Sequence, residues 1–196
     1  MTFTKLHLSV FALASAVACA PAIASPISPA LDIRVFPSAD QEAITEGETV
    51  LAGDPDTVYR EVSDFARWSV MFPNIRQVIV TSRNGEDARV TFIHPDGNRD
   101  NLHFRNRPAS RVVWFEDTGG SAEVWAEISF LPGQQVGTTR VHSRLYADVH
   151  GLTSLFVSDR KLRSLREQRI REDLTHLRAH FAHEATIQPV AATGAQ

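Results

Sequence analysis

Apolar and polar positions change period once along this chain, and the change divides it into two kinds of structure. From Ile75 to Val149 apolar residues alternate with polar ones, the period of strands with one face in water. From Leu152 to His183 they recur at helical spacing, uninterrupted by Pro, with Arg, Leu and Glu dominant from Arg160 onward. With Leu162 at zero on a wheel of about 100° per residue, Leu155, Leu165, Ile170, Leu174, Leu177 and Phe181 fall in an arc of roughly 180°. The stretch therefore predicts one long helix that lies on a sheet through a broad apolar face. Arg166, Arg169 and Asp173 stand inside that arc, at roughly 40°, −20° and 20°. Charges there either border a cavity or reach water through a twist in the helix.

Upstream, Ile44 to Ala52 reads as a first strand. Asp54 then caps a short helix with Pro55 at its first position, and Val58, Val62 and Phe65 mark the inner face. A second short helix, Phe65 to Phe72, follows under a cap from Asp64 and is closed by Pro73. The strands expected next are Ile75–Ser82, Ala88–His94, Asp100–Arg107, Arg111–Asp117, Ala122–Leu131 and Thr138–Val149, with Asn84-Gly85 favouring a tight hairpin. This order predicts an α+β domain: an antiparallel sheet of about seven strands, two short helices after strand 1, and the long C-terminal helix on one face. The last two strands are the most regular. Ala122, Val124, Ala126, Ile128 and Phe130 share one face of theirs, and Val141, Ser143, Leu145, Ala147 and Val149 share one face of the next. Ala122, Ala126, Ser143 and Ala147 are small for inward positions. A sheet curled around a helix with such side chains either leaves a void for an apolar ligand or closes tightly on the helix.

Composition narrows the class. The chain has 196 residues, 43% hydrophobic and 22% charged, which suits one domain with a proper core. A net charge of −3 gives no basic balance for nucleic acid. One Cys, Cys19, excludes an internal disulfide framework and a thiolate zinc site. Lys5, the apolar run Leu8–Val17 and Ala22-Ile23-Ala24 before Ser25 have the form of a signal peptide, so export to the periplasm or beyond is expected. An alternative is a lipoprotein anchored through Cys19, because Ser15-Ala16-Val17-Ala18-Cys19 resembles a lipoprotein cleavage box without its usual Leu. The expected organisation is signal peptide 1–24, linker or surface arm 25–43, domain 44–184 and disordered tail 185–196.

Three stretches together resemble the START-like (polyketide cyclase/dehydrase and lipid transport) superfamily, also called the SRPBCC or helix-grip fold. Val50 to Asp54 followed by Val58-Tyr59-Arg60-Glu61-Val62 is similar to its opening strand, small-residue turn and helix. Asp64-Phe65-Ala66-Arg67-Trp68-Ser69-Val70-Met71-Phe72-Pro73 is similar to the segment that follows in the coenzyme Q-binding branch. Gly137-Thr138-Thr139-Arg140 opens the last long strand much as the family's Gly-Thr-Arg does. The resemblance implies a curved sheet wrapped around the C-terminal helix. It also implies a hydrophobic small molecule (lipid, quinone or polyketide-like) held between them, a ligand compatible with transient membrane contact. The superfamily holds carriers, cyclases, hydrolases and regulators, so it does not fix the chemistry.

The residues themselves give little sign of catalysis. There is no G-x-S-x-G elbow and no glycine-rich phosphate loop. His176 and His180 have zinc-compatible i, i+4 spacing but lack further ligands nearby, so they read as surface histidines. His103 and His142 fall on outward phases, and His94 shares the inward phase of Val90 and Phe92 beside a turn. Glu123/Glu127 and Glu172/Asp173 read as solvated charge. Trp68, Trp114 and Trp125 form either an aromatic cage or core and cover. The candidate ligand-binding set is Phe92, Phe104, Phe115, Val124, Ala126, Ile128, Val141, Ser143 and Leu145 from the sheet, with Leu162, Arg166, Arg169 and Asp173 from the helix. No catalytic residue, metal or cofactor is expected, and nothing in the chain names a protein partner. The helix charges suit a ligand with an apolar body and one polar or anionic end, unless they form a purely structural salt bridge. A cyclase/dehydrase-type enzyme using the same cavity and a ligand-free interaction domain are the other readings.

Overall fold

The computed structural model describes residues 33–119, 122–149 and 158–187, with side chains through residue 183. The alternating segments become strands β3 (Gln77–Asn84), β4 (Asp87–Ile93), β5 (Arg99–Arg107), β6 (Val112–Asp117), β7 (Ala122–Pro132) and β8 (Thr138–Val149). Each pairs antiparallel with its predecessor, as short connections require. Strand β2 (Ile44–Ala52) pairs with β8, and β1 (Arg34–Pro37) adds an edge beyond it. The curved sheet therefore has eight strands in the order β1-β2-β8-β7-β6-β5-β4-β3. The extra strand comes from the segment expected as a linker or arm, where Ile33 and Val35 pack against the core and the strand pairs with β2.

Local signals act much as expected at the turns. Asp54 accepts from the Asp56 and Thr57 amides at 3.1 and 3.0 Å and starts α1 (Pro55–Val62). Asp64 makes no such capping bond: the chain takes a 3-10 turn over Phe65–Arg67 before the single turn of α2 (Trp68–Met71). The β3–β4 hairpin closes through Gly85-Glu86, with φ of 59° at Gly85 and a positive φ at no second loop residue, the II′ pattern that only Gly enters freely. The long helix, α3, runs Asp159–Ile187, three residues into the expected tail. Leu155, counted on its apolar face from the sequence, lies outside the described residues.

The helix does not lie centrally across the sheet. Among the described residues α3 packs on β2, with β8 and β1 beside it, and touches α2; it makes no comparable contact with β4 to β7. Ile170, Leu174, Leu177 and Phe181 form the buried stripe of that contact. Gly47 of β2 lets the helix approach the strand backbone: a Cβ there would stand 2.3 Å from Ile170 Cγ2 and 3.0 Å from Leu174 Cδ1. At the other end of the concave face, α1 and α2 drive in an aromatic wedge. Trp68 lies 4.9, 5.4, 5.3 and 5.8 Å, ring to ring, from Phe72, Phe92, Phe104 and Phe115, and its indole N–H donates to the Val62 carbonyl at 2.7 Å.

Candidate functional site

Strand pairing fixes which residues share the concave face. Phe104 faces Phe115 across β5–β6, Phe115 faces Ala126, Ala126 faces Leu145, and Leu145 faces Thr45. Along this face burial changes steadily. Val113, Ile128, Phe130, Val141 and Ser143 are buried, while Phe115, Asp117, Ala122, Val124, Ala147 and Val149 at the other end are only half-buried. The small inner residues and the off-centre helix thus leave one end of the concavity open.

Polar groups converge on that open end. Arg169 Nε donates to Asp173 Oδ2 at 2.9 Å, with the two side chains 44% and 27% exposed. Burial lifts the Asp173 carboxyl above its ordinary range in spite of Arg169, while the Asp173 charge raises Arg169. Across from them, Arg169 feels the charge of Asp100 on β5. Asp100 stands on the concave phase opposite Phe92, and Asp117 stands opposite Leu102. Burial, and then the nearby Asp100, push the Asp117 carboxyl up, although the Gly119 amide donates to its Oδ1 at 2.8 Å. Behind Asp100 sits His94. Its Nδ1 is 2.6 Å from the Asn74 carbonyl, which only accepts, so Nδ1 donates there, and its Nε2 is 2.7 Å from Asp100 Oδ2.

The expected binding residues divide into three groups. Phe115 and Val124 are half-buried at the open end, and Arg169 and Asp173 pair with each other in partial contact with solvent. Phe92, Phe104, Ala126, Ile128, Val141, Ser143 and Leu145 face the same way but are packed in the dry part of the face. Leu162 and Arg166 border a recess of about 230 Å³, with Glu42, Ala43, Ala147, Asp148, Asp159 and Arg163. Arg166 is only 5% exposed, and its guanidinium donates to Thr45 Oγ1, the Ala147 carbonyl and the Glu42 carbonyl at 3.2, 2.9 and 3.2 Å. It ties α3 to β2 and β8, and those donors are spent on the protein itself. A second recess, of about 430 Å³, opens at the sheet edge beside Arg34, Glu48, Val50, Arg140 and the turn Pro132-Gly133-Gln134, remote from the concave face.

Other sequence candidates resolve by face. His103 lies between Asp87 and Glu116, and His142 meets Glu46, all on the convex side. His176 and His180 are not solvated surface groups, because α1 and α2 dock on that side of α3: His176 rests against Phe72, and His180 Nε2 meets Glu61 Oε1 at 2.6 Å. Trp114 and Trp125 lie on the convex face, one under Arg105 and one stacked on Tyr146, so the three Trp form no cage. Among the described residues no cluster suits a metal ion. Asp100 and Asp117 were not among the candidates, yet extending the alternation of Leu102–Phe104 and Val113–Phe115 by one step at each strand end places both inside.

No protein-family model and no characterised protein sequence matches the chain. Solved structures do. A Thermus thermophilus protein superposes with a TM-score of 0.61 at 16% identity, covering 72% of this chain and 99% of its own. A START superfamily protein from Mycobacterium smegmatis gives 0.59 at 15% identity, covering 72% and 98%. The Zhui aromatase/cyclase from Streptomyces gives 0.61 at 13% identity, covering 84% and 100%. The chain has the START-like, helix-grip fold; none of these likenesses singles out the coenzyme Q-binding branch.

Proposed function

We propose that this domain binds an apolar small molecule, of lipid, quinone or polyketide-like kind, at the open end of its concave face. The observation that carries the reading is the change of burial along the concave face, from the buried Val141 and Ser143 to the half-buried Phe115, Val124 and Ala147. An ordinary core would have closed over those apolar surfaces, since each buried CH₂ is worth about 0.8 kcal/mol. The fold supports the reading only coarsely, because the same architecture serves a cyclase and proteins of other roles. Export remains part of the proposal, on the leader-like residues 1–24, which lie outside the described residues; N-terminal mass mapping of envelope protein distinguishes a start at Ser25 from a lipidated Cys19.

The test is native mass spectrometry of protein purified from its own cell envelope, beside titration with a fluorescent apolar probe. A co-purified apolar molecule, and probe binding abolished by Val124→Phe, are the expected results. Failure of both experiments sinks the reading. A second reading, a cyclase/dehydrase-type enzyme, draws on the carboxyls and His94 that converge on the same space, since such chemistry needs an acid or base within reach of the ligand. Turnover of the co-purified molecule, lost in Asp100→Asn, would separate it from simple carriage.

A further inference from the structure

Resting on the cavity reading above, we infer that the polar end of the ligand is a hydrogen-bond donor, a protonated amine before a hydroxyl, received by Asp117, and that carboxylate-ended molecules are excluded. Charge compensation at the open end carries this. Asp173 is neutralised by Arg169 at 2.9 Å. Asp100 is already partnered, by His94 Nε2 at 2.7 Å. Arg166, among the helix charges expected to meet a polar or anionic end, makes three hydrogen bonds to the protein itself. Asp117 remains. Among the described residues it forms no ion pair; the Gly119 amide donates to Oδ1, and it stands half-buried on the concave phase one step beyond Phe115. An uncompensated carboxylate beside an apolar wall meets a cationic donor with a charge-assisted bond and opposes a second carboxylate.

A naphthalene series that differs only in head group tests this: naphthylmethylamine, naphthol and naphthoate, titrated into the purified chain by fluorescence at about pH 8, where free carboxylates are ionised and the amine is protonated. Binding should weaken in that order, with the amine at least about tenfold tighter than the naphthoate, or roughly 1.4 kcal/mol. Asp117→Asn keeps the acceptor for Gly119 and should erase the amine's advantage while leaving naphthol within about threefold. Asp117→Ser, which also keeps an oxygen there, is the second variant should the first fold poorly. Equal affinities across the series, or tighter naphthoate, overturn the inference and leave the cavity reading standing. An amine preference that survives both variants also overturns it, because another group would then be responsible. No binding by any of the three overturns the inference and the cavity reading together.

Discussion

Strand β8 passes through two different environments in twelve residues. Its first half, Val141 and Ser143, lies under α3 and beside Gly47, where helix and sheet meet almost backbone to side chain. Its second half, Ala147 and Val149, has the same alternation and similar side chains but stays half-buried. The difference is made by what stands opposite. Over the closed half, α3 presents Ile170, Leu174 and Leu177; over the open half, the same helix presents Leu162 and Arg166, whose guanidinium donates to the Ala147 carbonyl. Apolar pressure in one region holds the helix in place so that the other can stay unfilled.

The sharpest way to break this comparison is to remove a side chain from each half. Leu177 is fully buried, and Leu177→Ala should cost about 2–5 kcal/mol through lost transfer energy and a residual cavity. Val124→Ala, on the open half, should cost under about 1 kcal/mol, because its methyls already face solvent in part. Urea melts of both decide it. Equal losses would mean that the concavity closes in solution.

Enlarging a side chain probes the same contrast from the other direction. Ser143 faces Gly47 beneath Ile170, so Ser143→Phe should overpack the closed half and cost about 1–3 kcal/mol. Val124→Phe should leave the melt nearly unchanged while blocking an apolar probe. A stable Ser143→Phe would show that the helix rides loosely on β2.

How much of this was legible in the chain depended on whether a feature was local. The strands, their faces and the capped α1 follow from period and short-range signals, which is why Asp54, Gly85 and the alternation of β7 and β8 read correctly. The burial of Arg166 was legible too, since it fell within the apolar arc. Its direction was not. Arg166 and Arg169 are about 60° apart on the wheel, and only the off-centre docking of α3 sends one to the carbonyls of Ala147 and Glu42 and the other toward Asp100. The expected histidine positions failed for a related reason: α1 and α2 cover the side of α3 that carries His176 and His180, and no periodicity within α3 reveals that cover. Strand β1 was missed because four residues carry too little alternation to separate an edge strand from an arm.

Arg166 and Arg169 therefore make a matched pair for a smaller effect. Replacing Arg166 by Met leaves two backbone carbonyls and Thr45 without their donor, and should cost about 1–2 kcal/mol even though a buried charge is removed. Arg169→Met breaks a partly exposed ion pair and should cost less than about 1 kcal/mol. Thermal melts of the two variants should rank in that order; the reverse order would place Arg169 in the packed half.

The smallest expected effect is a difference of sign with pH. Glu46, on the convex side of β2, is pushed up by burial, but hydrogen bonds from Ser38 and His142 and the charges of His142 and Arg144 outweigh this and hold it below its ordinary 4.5. Its folded form binds fewer protons than its unfolded form, so its stabilisation is complete above the unfolded value and is lost as pH falls through the lower, folded one. Asp117 behaves oppositely. Burial and Asp100 raise it above its ordinary 3.8, so the fold disfavours its charged form; its contribution is complete below the unfolded value and is lost as pH rises through the folded one. Glu46→Gln should thus be less stable than the parent at about pH 7, with the gap closing toward about pH 3. Asp117→Asn should match or exceed the parent at neutral pH and lose that advantage in acid. Urea melts of the two variants across this range read both gaps. A decline of the same sign in both would mean that Asp117 is as well compensated as Glu46, and that the open end holds a cation partner for it already.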